Sequence, residues 1–208
     1  SKNGHQDLRW NQMDYGPAMA ATYSIDKKKK IGGMLSVLVE GGHTVTFNKD
    51  TGSYYNTWKG RPYFHPHRWG VIHGVAVPKG VTPVDLKPWF TAITRDGKSM
   101  TRYLGHYLHG KRVVTHYAIG TSRFLDSVSW GVHGGLVRTL VPIDGGGATL
   151  PLELDAYGDW EIEVAANVLI ATREGRAIVT AAKGFSMGEA APSHGAHKAI
   201  RQADALGH

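Results

Sequence analysis

Between Tyr103 and Ile119 the chain reads Tyr-Leu-Gly-His-Tyr-Leu-His-Gly-Lys-Arg-Val-Val-Thr-His-Tyr-Ala-Ile, which holds three of its twelve histidines and three of its nine tyrosines. Imidazoles can ligate a transition metal, whereas phenols and imidazoles beside Lys111 and Arg112 suit an anion or a hydroxyl-rich ligand. Strand phase decides which of them can act together. Gly110-Lys111 fits the two central positions of a type II′ turn, since glycine alone readily takes the positive φ needed first. The register that follows sets Leu108 against Val113, His106 against Thr115 and Leu104 against Tyr117 on one face. On the other it sets His109 against Arg112, Tyr107 against Val114 and Gly105 against His116. His106 and His109 then point to opposite sides and cannot share an ion. The Arg112 guanidinium facing His109 also opposes a bound cation. The expectation is one core face and one binding face, formed by Tyr107, His109, Arg112 and His116 and suited to a carboxylate, phosphate, sugar hydroxyl or neighbouring subunit. A plain surface ladder of cross-strand pairs is the simpler alternative.

A second constellation is Tyr63-Phe64-His65-Pro66-His67-Arg68-Trp69. In an extended segment His65 and His67 project to one side, the arrangement used by copper and zinc sites. A third ligand would have to come from elsewhere, with His73, His109 and His116 the candidates. The motif is short, and an aromatic structural loop is the plainer reading. The chain has no cysteine, which excludes disulfides, thiolate zinc sites, iron–sulfur clusters and covalent c-type haem. Copper, zinc or a non-covalent haem would rest on histidine, methionine, tyrosine or carboxylate.

Six tryptophans and nine tyrosines raise carbohydrate binding through ring stacking. Trp58, Trp130 and Trp160 sit in strand-like runs and read as core; Trp69 and Trp89 sit in loops and are the surface candidates. Carboxylates offer little for hydrolysis. Asp85, Asp96, Asp126, Asp144, Asp155 and Asp159 fall at apparent turns, where aspartate bonds its own backbone, and Glu153, Glu161 and Glu163 alternate as solvent-facing strand residues do. There is no acid and base pair, no Gly-x-Ser-x-Gly elbow, no phosphate loop and no His-Glu-x-x-His helix. The residues therefore favour a non-catalytic binding or assembly role.

The elements that must position these groups are short strands. Twenty-seven glycines in 208 residues fall between β-prone runs, which signals many turns. Strands are expected at 31–40 and 43–50, joined by Gly41-Gly42, then at 53–58, 71–77, the hairpin 103–119, 130–141, 149–154, 159–165, 168–172 and 177–181. Residues 78–88, with three prolines, read as a connector. The count, roughly ten strands, predicts an all-β antiparallel sandwich or barrel. It would be flanked by a packing segment of poor regularity at 1–30 and an Ala/Gly/His-rich tail at 184–208, coil or a short helix near 197–206, around a β domain at 31–183.

The formal charge of +7 and pI near 9.6 would suit nucleic acid, but the basic residues are scattered apart from Lys27 to Lys30, which argues against it. No apolar run reaches the roughly 18 residues of a membrane span. No intact signal peptide is present, and the chain begins with Ser. A removed presequence or a piece of a longer protein is expected, and with it a periplasmic or extracellular location.

Met13-Asp14-Tyr15-Gly16-Pro17, and Tyr107-Leu108-His109-Gly110-Lys111-Arg112-Val113-Val114 followed by Tyr117 and Gly120, resemble an uncharacterised β-rich domain of large exported bacterial proteins. There the domain precedes a β-propeller of the membrane-bound-dehydrogenase type and a c-type cytochrome module. The resemblance runs from Met13 to Ile143. It implies an exported module working beside haem or dehydrogenase domains, with no catalytic residues to carry over. This chain departs from the pattern in having neither a cytochrome motif nor a propeller.

Overall fold

The computed structural model describes residues 11–24, 30–64, 74–86, 92, 98–131 and 135–144 in full. It describes 150–152, 161–165, 168–173, 176–181, 184–189 and 198–203 as backbone strands. The chain is all-β. A seven-stranded sheet contains β1 (Ala18–Ser24), β2 (Lys30–Val39), β3 (His43–Asn48), β4 (Ser53–Lys59), β5 (Tyr63–Phe64), β6 (Val75–Ala76) and β7 (Val84–Asp85) in the order β5-β6-β1-β2-β3-β4-β7. A four-stranded meander follows, made of β8 (Arg102–His109), β9 (Arg112–Ile119), β10 (Ser122–Trp130) and β11 (Leu136–Pro142) in the order β11-β10-β9-β8. Two three-stranded sheets come from β12 (Leu150–Leu152), β13 (Glu161–Ala165), β14 (Val168–Arg173), β15 (Arg176–Ala181), β16 (Gly184–Glu189) and β17 (Lys198–Ala203), ordered β12-β17-β16 and β13-β14-β15.

The two larger sheets share one core. Leu35, Val37, Val39, Val45, Phe47 and Tyr54 from the first meet Val113, Tyr117, Ile119, Phe124 and Val128 from the second. Alternation along each strand supplies these residues, because every second side chain points to the same face. The first sheet is covered on its other face as well, where Tyr23, Met34, Trp58, Phe64 and Val75 form a second cluster. The alternation of Thr44, Thr46 and Asn48 with Val45 and Phe47 suggests a strand with one wet face, but Thr44 and Thr46 are fully buried. Their hydroxyls are satisfied internally: Thr44 donates to the Gly60 carbonyl at 2.6 Å and Thr46 to Asn56 Oδ1 at 2.7 Å. Asn56 in turn donates to Tyr23 Oη at 2.6 Å, so the polar groups enter the interior already paired.

Several elements differ from the sequence reading, each for a physical reason. The segment 1–30 contains β1, an interior strand paired antiparallel with β2 and parallel with β6. Its Ala-Met-Ala-Ala-Thr-Tyr-Ser has weak β propensity and is held by its neighbours on both sides. In the connector 78–88, β7 pairs with β4 at the sheet edge, where flanking prolines are tolerated. The run expected at 130–141 takes in the last residue of β10 and, from Leu136, nearly all of β11; β10 escapes the sequence pattern because Asp126 and Ser127 interrupt its apolar phase. In the tail, β17 stands where a helix at 197–206 is expected. It pairs with β12 and β16, and partners distant in sequence override the local propensity of an alanine-containing run.

The hairpin of β8 and β9 follows the expected register from His109↔Arg112 to Gly105↔His116, with Gly110 at a φ of 60°. Beyond that it slips by one residue. Gly105 takes a φ of 141° in a β-bulge, and Tyr103, not Leu104, faces Tyr117. The bulge moves Tyr103 onto the same side as His106, and the Tyr103 hydroxyl lies 2.7 Å from His106 Nδ1. The expected core face holds on β9, where Val113, Thr115 and Tyr117 are buried. On β8 it fails, because β8 is the outer strand of the sheet and its turn-proximal half lies beside the core and not over it, leaving His106 and Leu108 exposed although Val113 opposite is buried.

Candidate functional site

The outward face of the four-stranded sheet is built by register. Tyr107 and His109 on β8 share it with Arg112, Val114 and His116 on β9, because each strand repeats every second residue. Pairing to β10 adds Arg123, Leu125 and Ser127, and pairing to β11 adds Val137, Thr139 and Val141. Ile143 continues the row, its N–H bonded to the Arg123 carbonyl at 2.9 Å. Tyr107, His109, Arg112 and His116 thus share one face of the sheet, the face on which the hairpin register alone places them.

Within that face the four residues do not converge on one point. Tyr107 stacks on His116 with ring centroids 5.8 Å apart, and its hydroxyl meets His116 Nδ1 at 3.2 Å. His116 Nε2 is buried and has no hydrogen-bond partner among the described residues. Arg112 turns the other way and donates to Ser127 Oγ at 3.2 Å, while His109 stands exposed at the strand end. The convergent anion grip expected of Arg112 with Tyr107 and a histidine is thus divided into two local contacts. Arg123 Nη2 meets Asp144 Oδ1 at 2.9 Å, and the Arg123 backbone N–H donates to Asp144 Oδ2 at the same distance. These bonds hold the Asp144 carboxyl below its ordinary range.

What distinguishes this face is apolar exposure. Tyr107 is 56% exposed, Val137 47%, Val141 45% and Ile143 42%. Leu108, on the opposite side of the same projecting strand, is 57% exposed. The row Val137, Val141 and Ile143 runs down β11, and the Tyr107–His116 pair lies across the sheet from it.

Sequence reasoning missed the most strongly organised polar cluster. Asp126 is not a turn residue: it sits in the middle of β10, fully buried. Arg138 on β11 meets it from Nη2 at 2.6 Å and from Nε at 3.1 Å, both to Oδ2. Tyr117 Oη donates to Oδ2 at 2.8 Å and Tyr54 Oη to Oδ1 at 3.2 Å. Burial, reinforced by the Asp126 charge, pushes both phenols well above their ordinary range. Burial by itself would lower Arg138, but the adjacent carboxylate outweighs it and the guanidinium stays charged. The cluster joins the two sheets, since Tyr54 belongs to β4. With Asp126 and Arg138 both closed to solvent, its chemistry is that of a pin and not of a reacting centre. An aspartate in phase with Phe124 and Val128 was the signal available in the sequence.

Trp130 also reaches from the four-stranded sheet to the seven-stranded one. It stacks on His43 with centroids 4.1 Å apart and an interplanar angle of 8°, and its ring lies where a side chain on Gly41 would have to go. His43 Nδ1 is buried without a partner among the described residues.

His65, His67, His73, Trp69 and Trp89 lie outside the described residues. Among the described residues no three of His, Asp and Glu are grouped to hold a metal ion. None of the described helical segments is long and apolar enough to cross a membrane. A scan against protein-family models, a search of curated proteins and a search of solved structures each found no match.

Proposed function

We propose that this chain is a non-catalytic binding or assembly module whose docking surface is the outward face of the β8–β11 sheet. The observation that carries the reading is the exposure of Tyr107, Val137, Val141 and Ile143 together on that face. Large apolar side chains grouped on one surface mark interaction sites, because leaving them in water forgoes burial worth about 25 cal/mol per Å². Polar groups accompany them in Arg112, His109 and the Arg123–Asp144 pair, which lie between and beside the apolar residues of the two outer strands. The role of Asp126 and Arg138 in joining the sheets leaves the four-stranded sheet as a rigid platform.

The partner is another protein. The resemblance carried by residues 13–17 and 107–120 supports one drawn from the haem or dehydrogenase modules of an exported complex. The test places a photo-crosslinking side chain at Val141, at Ile143 and, as a control, at exposed Lys79 in the chain expressed in its native host. The expected result is one discrete polypeptide adduct from Val141 and Ile143 that Lys79 does not form. An identical adduct pattern from Lys79, or no adduct from the face, would overturn the reading.

A further inference from the structure

We infer that the partner engages this module by adding an extended acidic strand to the free edge of β8. The inference rests on the reading of the chain as a binding module and specifies how it binds and what it binds. β8 closes the sheet order, so its outer edge faces no further strand among the described residues. In a hairpin with a two-residue turn, the pair flanking the turn exchanges both ladder bonds, and bonded and non-bonded pairs then alternate. His109↔Arg112, Tyr107↔Val114 and Gly105↔His116 are therefore the bonded pairs. The N–H and C=O groups of His106 and Leu108 consequently point away from β9, a set of two donors and two acceptors that no strand among the described residues takes up.

Natural edges are commonly protected by proline, by inward charge, by short length or by a bulge. β8 is eight residues long and contains no proline. Its one protective device, the bulge between Tyr103 and Gly105, lies at the far end and leaves 106–109 straight. That stretch presents Tyr107 on one face and Leu108 on the other, both more than half exposed. An added strand would bury both, so strand addition carries the contact from the docking face around the β8 edge to Leu108.

Charge identifies the occupant. From Arg102 to Ile119 the hairpin has Arg102, Lys111 and Arg112 and no acidic residue. In the rest of the four-stranded sheet the two aspartates, Asp126 and Asp144, are each ion-paired with an arginine. A second copy pairing antiparallel about Tyr107 would bring its Arg102 end beside the Lys111–Arg112 turn, and like charges so placed repel. An acidic segment instead meets basic groups at both ends. About five residues of extended chain suffice to cover 105–109, with glutamate or aspartate toward the turn and apolar side chains beside Tyr107 and Leu108.

The test uses the full chain and a capped nine-residue peptide that alternates glutamate with valine and threonine, followed by amide exchange. At a peptide concentration about ten times Kd, the His106 and Leu108 amides are expected to slow by about tenfold. The Tyr107 and His109 amides, already bonded to β9, should change little. Leu108→Pro removes an outward donor without touching the ladder to β9, and should weaken binding by at least about tenfold. If that variant fails to fold, a peptide N-methylated on the face toward β8 makes the same test from the other side. Equal binding of a peptide with lysine in place of glutamate would overturn the charge assignment. Protection of His106 and Leu108 that rises with protein concentration and needs no peptide would make the occupant a second copy and overturn the inference. Absence of protection at His106 and Leu108 while Val141 and Ile143 still crosslink would overturn strand addition and leave the docking face standing; loss of both would remove the two readings together.

Discussion

Arg138 approaches Asp126 across the β10–β11 ladder to 2.6 Å, with the Asp126 side chain fully buried and that of Arg138 nearly so. Placing two opposite charges in the interior is costly in desolvation, so the pair contributes geometry more than net stability; removing one partner strands the other. Arg138→Met and Asp126→Leu are each expected to destabilise the chain by about 3–5 kcal/mol. The double variant Asp126→Leu with Arg138→Met should recover most of that loss, because no uncompensated charge is left. Urea unfolding of the three variants checks the expectation, and additive losses in the double variant would refute it.

The two phenols on Asp126 give an alkaline signature. Tyr54 and Tyr117 have folded-state pKa values raised above 10.0 by burial and then by the nearby carboxylate. A group raised in this way stabilises the fold fully below its unfolded value, and the stability is lost as pH climbs above about 10 toward the folded value. Tyrosinate absorbance should therefore leave these two rings silent until the protein unfolds. Tyr117→Phe, which removes a hydrogen bond to a charged acceptor, should cost about 1.5–3 kcal/mol.

His43 predicts the acid side. Burial first, and then the neighbouring Lys59 charge, lowers its pKa below 6.5 in the folded chain. The unfolded chain takes up the proton first, so stability present above pH 6.5 falls as the pH drops toward the folded value. Melting temperatures compared at neutral and mildly acid pH should show a decrease in the wild type that is smaller in His43→Gln. An equal decrease in both would place the acid sensitivity elsewhere.

Gly105 isolates the bulge. A side chain there would meet nothing within 4 Å, yet the residue holds a φ of 141°, so any cost of Gly105→Ala is conformational and not steric. About 1–3 kcal/mol is expected for forcing an alanine into that region. Loss of the Tyr103 to His106 contact in the variant's NMR spectra would mark a shift of register at the same place.

Val141→Lys addresses the docking face without disturbing the fold. Val141 is exposed and makes no part of either core cluster, so its replacement should change stability by no more than about 0.5 kcal/mol. The adduct formed from a crosslinker at Ile143 should be lost in this variant, and its persistence would argue that the apolar row is not the contact surface.

The sequence alone was sufficient for the all-β class, for the β2–β3 hairpin around Gly41-Gly42, and for the register between His109 and Gly105. Those features depend on local rules: period-two alternation, and a glycine where a turn needs positive φ. By the same rules His106 and His109 were separated onto different faces, and Tyr107, Arg112 and His116 onto one. What the local pattern could not reveal was anything set by a distant partner. Asp126 resembled a turn aspartate until Arg138, twelve residues later, and Tyr54, seventy-two residues earlier, met it in the interior. The bulge at Gly105 needed the opposing strand, β1 needed β2 and β6, and β17 needed β12 and β16. Exposure of Leu108, on the core side of an outer strand, likewise depends on how far the opposing sheet reaches. Tertiary structure decided these because burial and charge pairing are properties of the assembled sheets, whereas strand phase is a property of the chain itself.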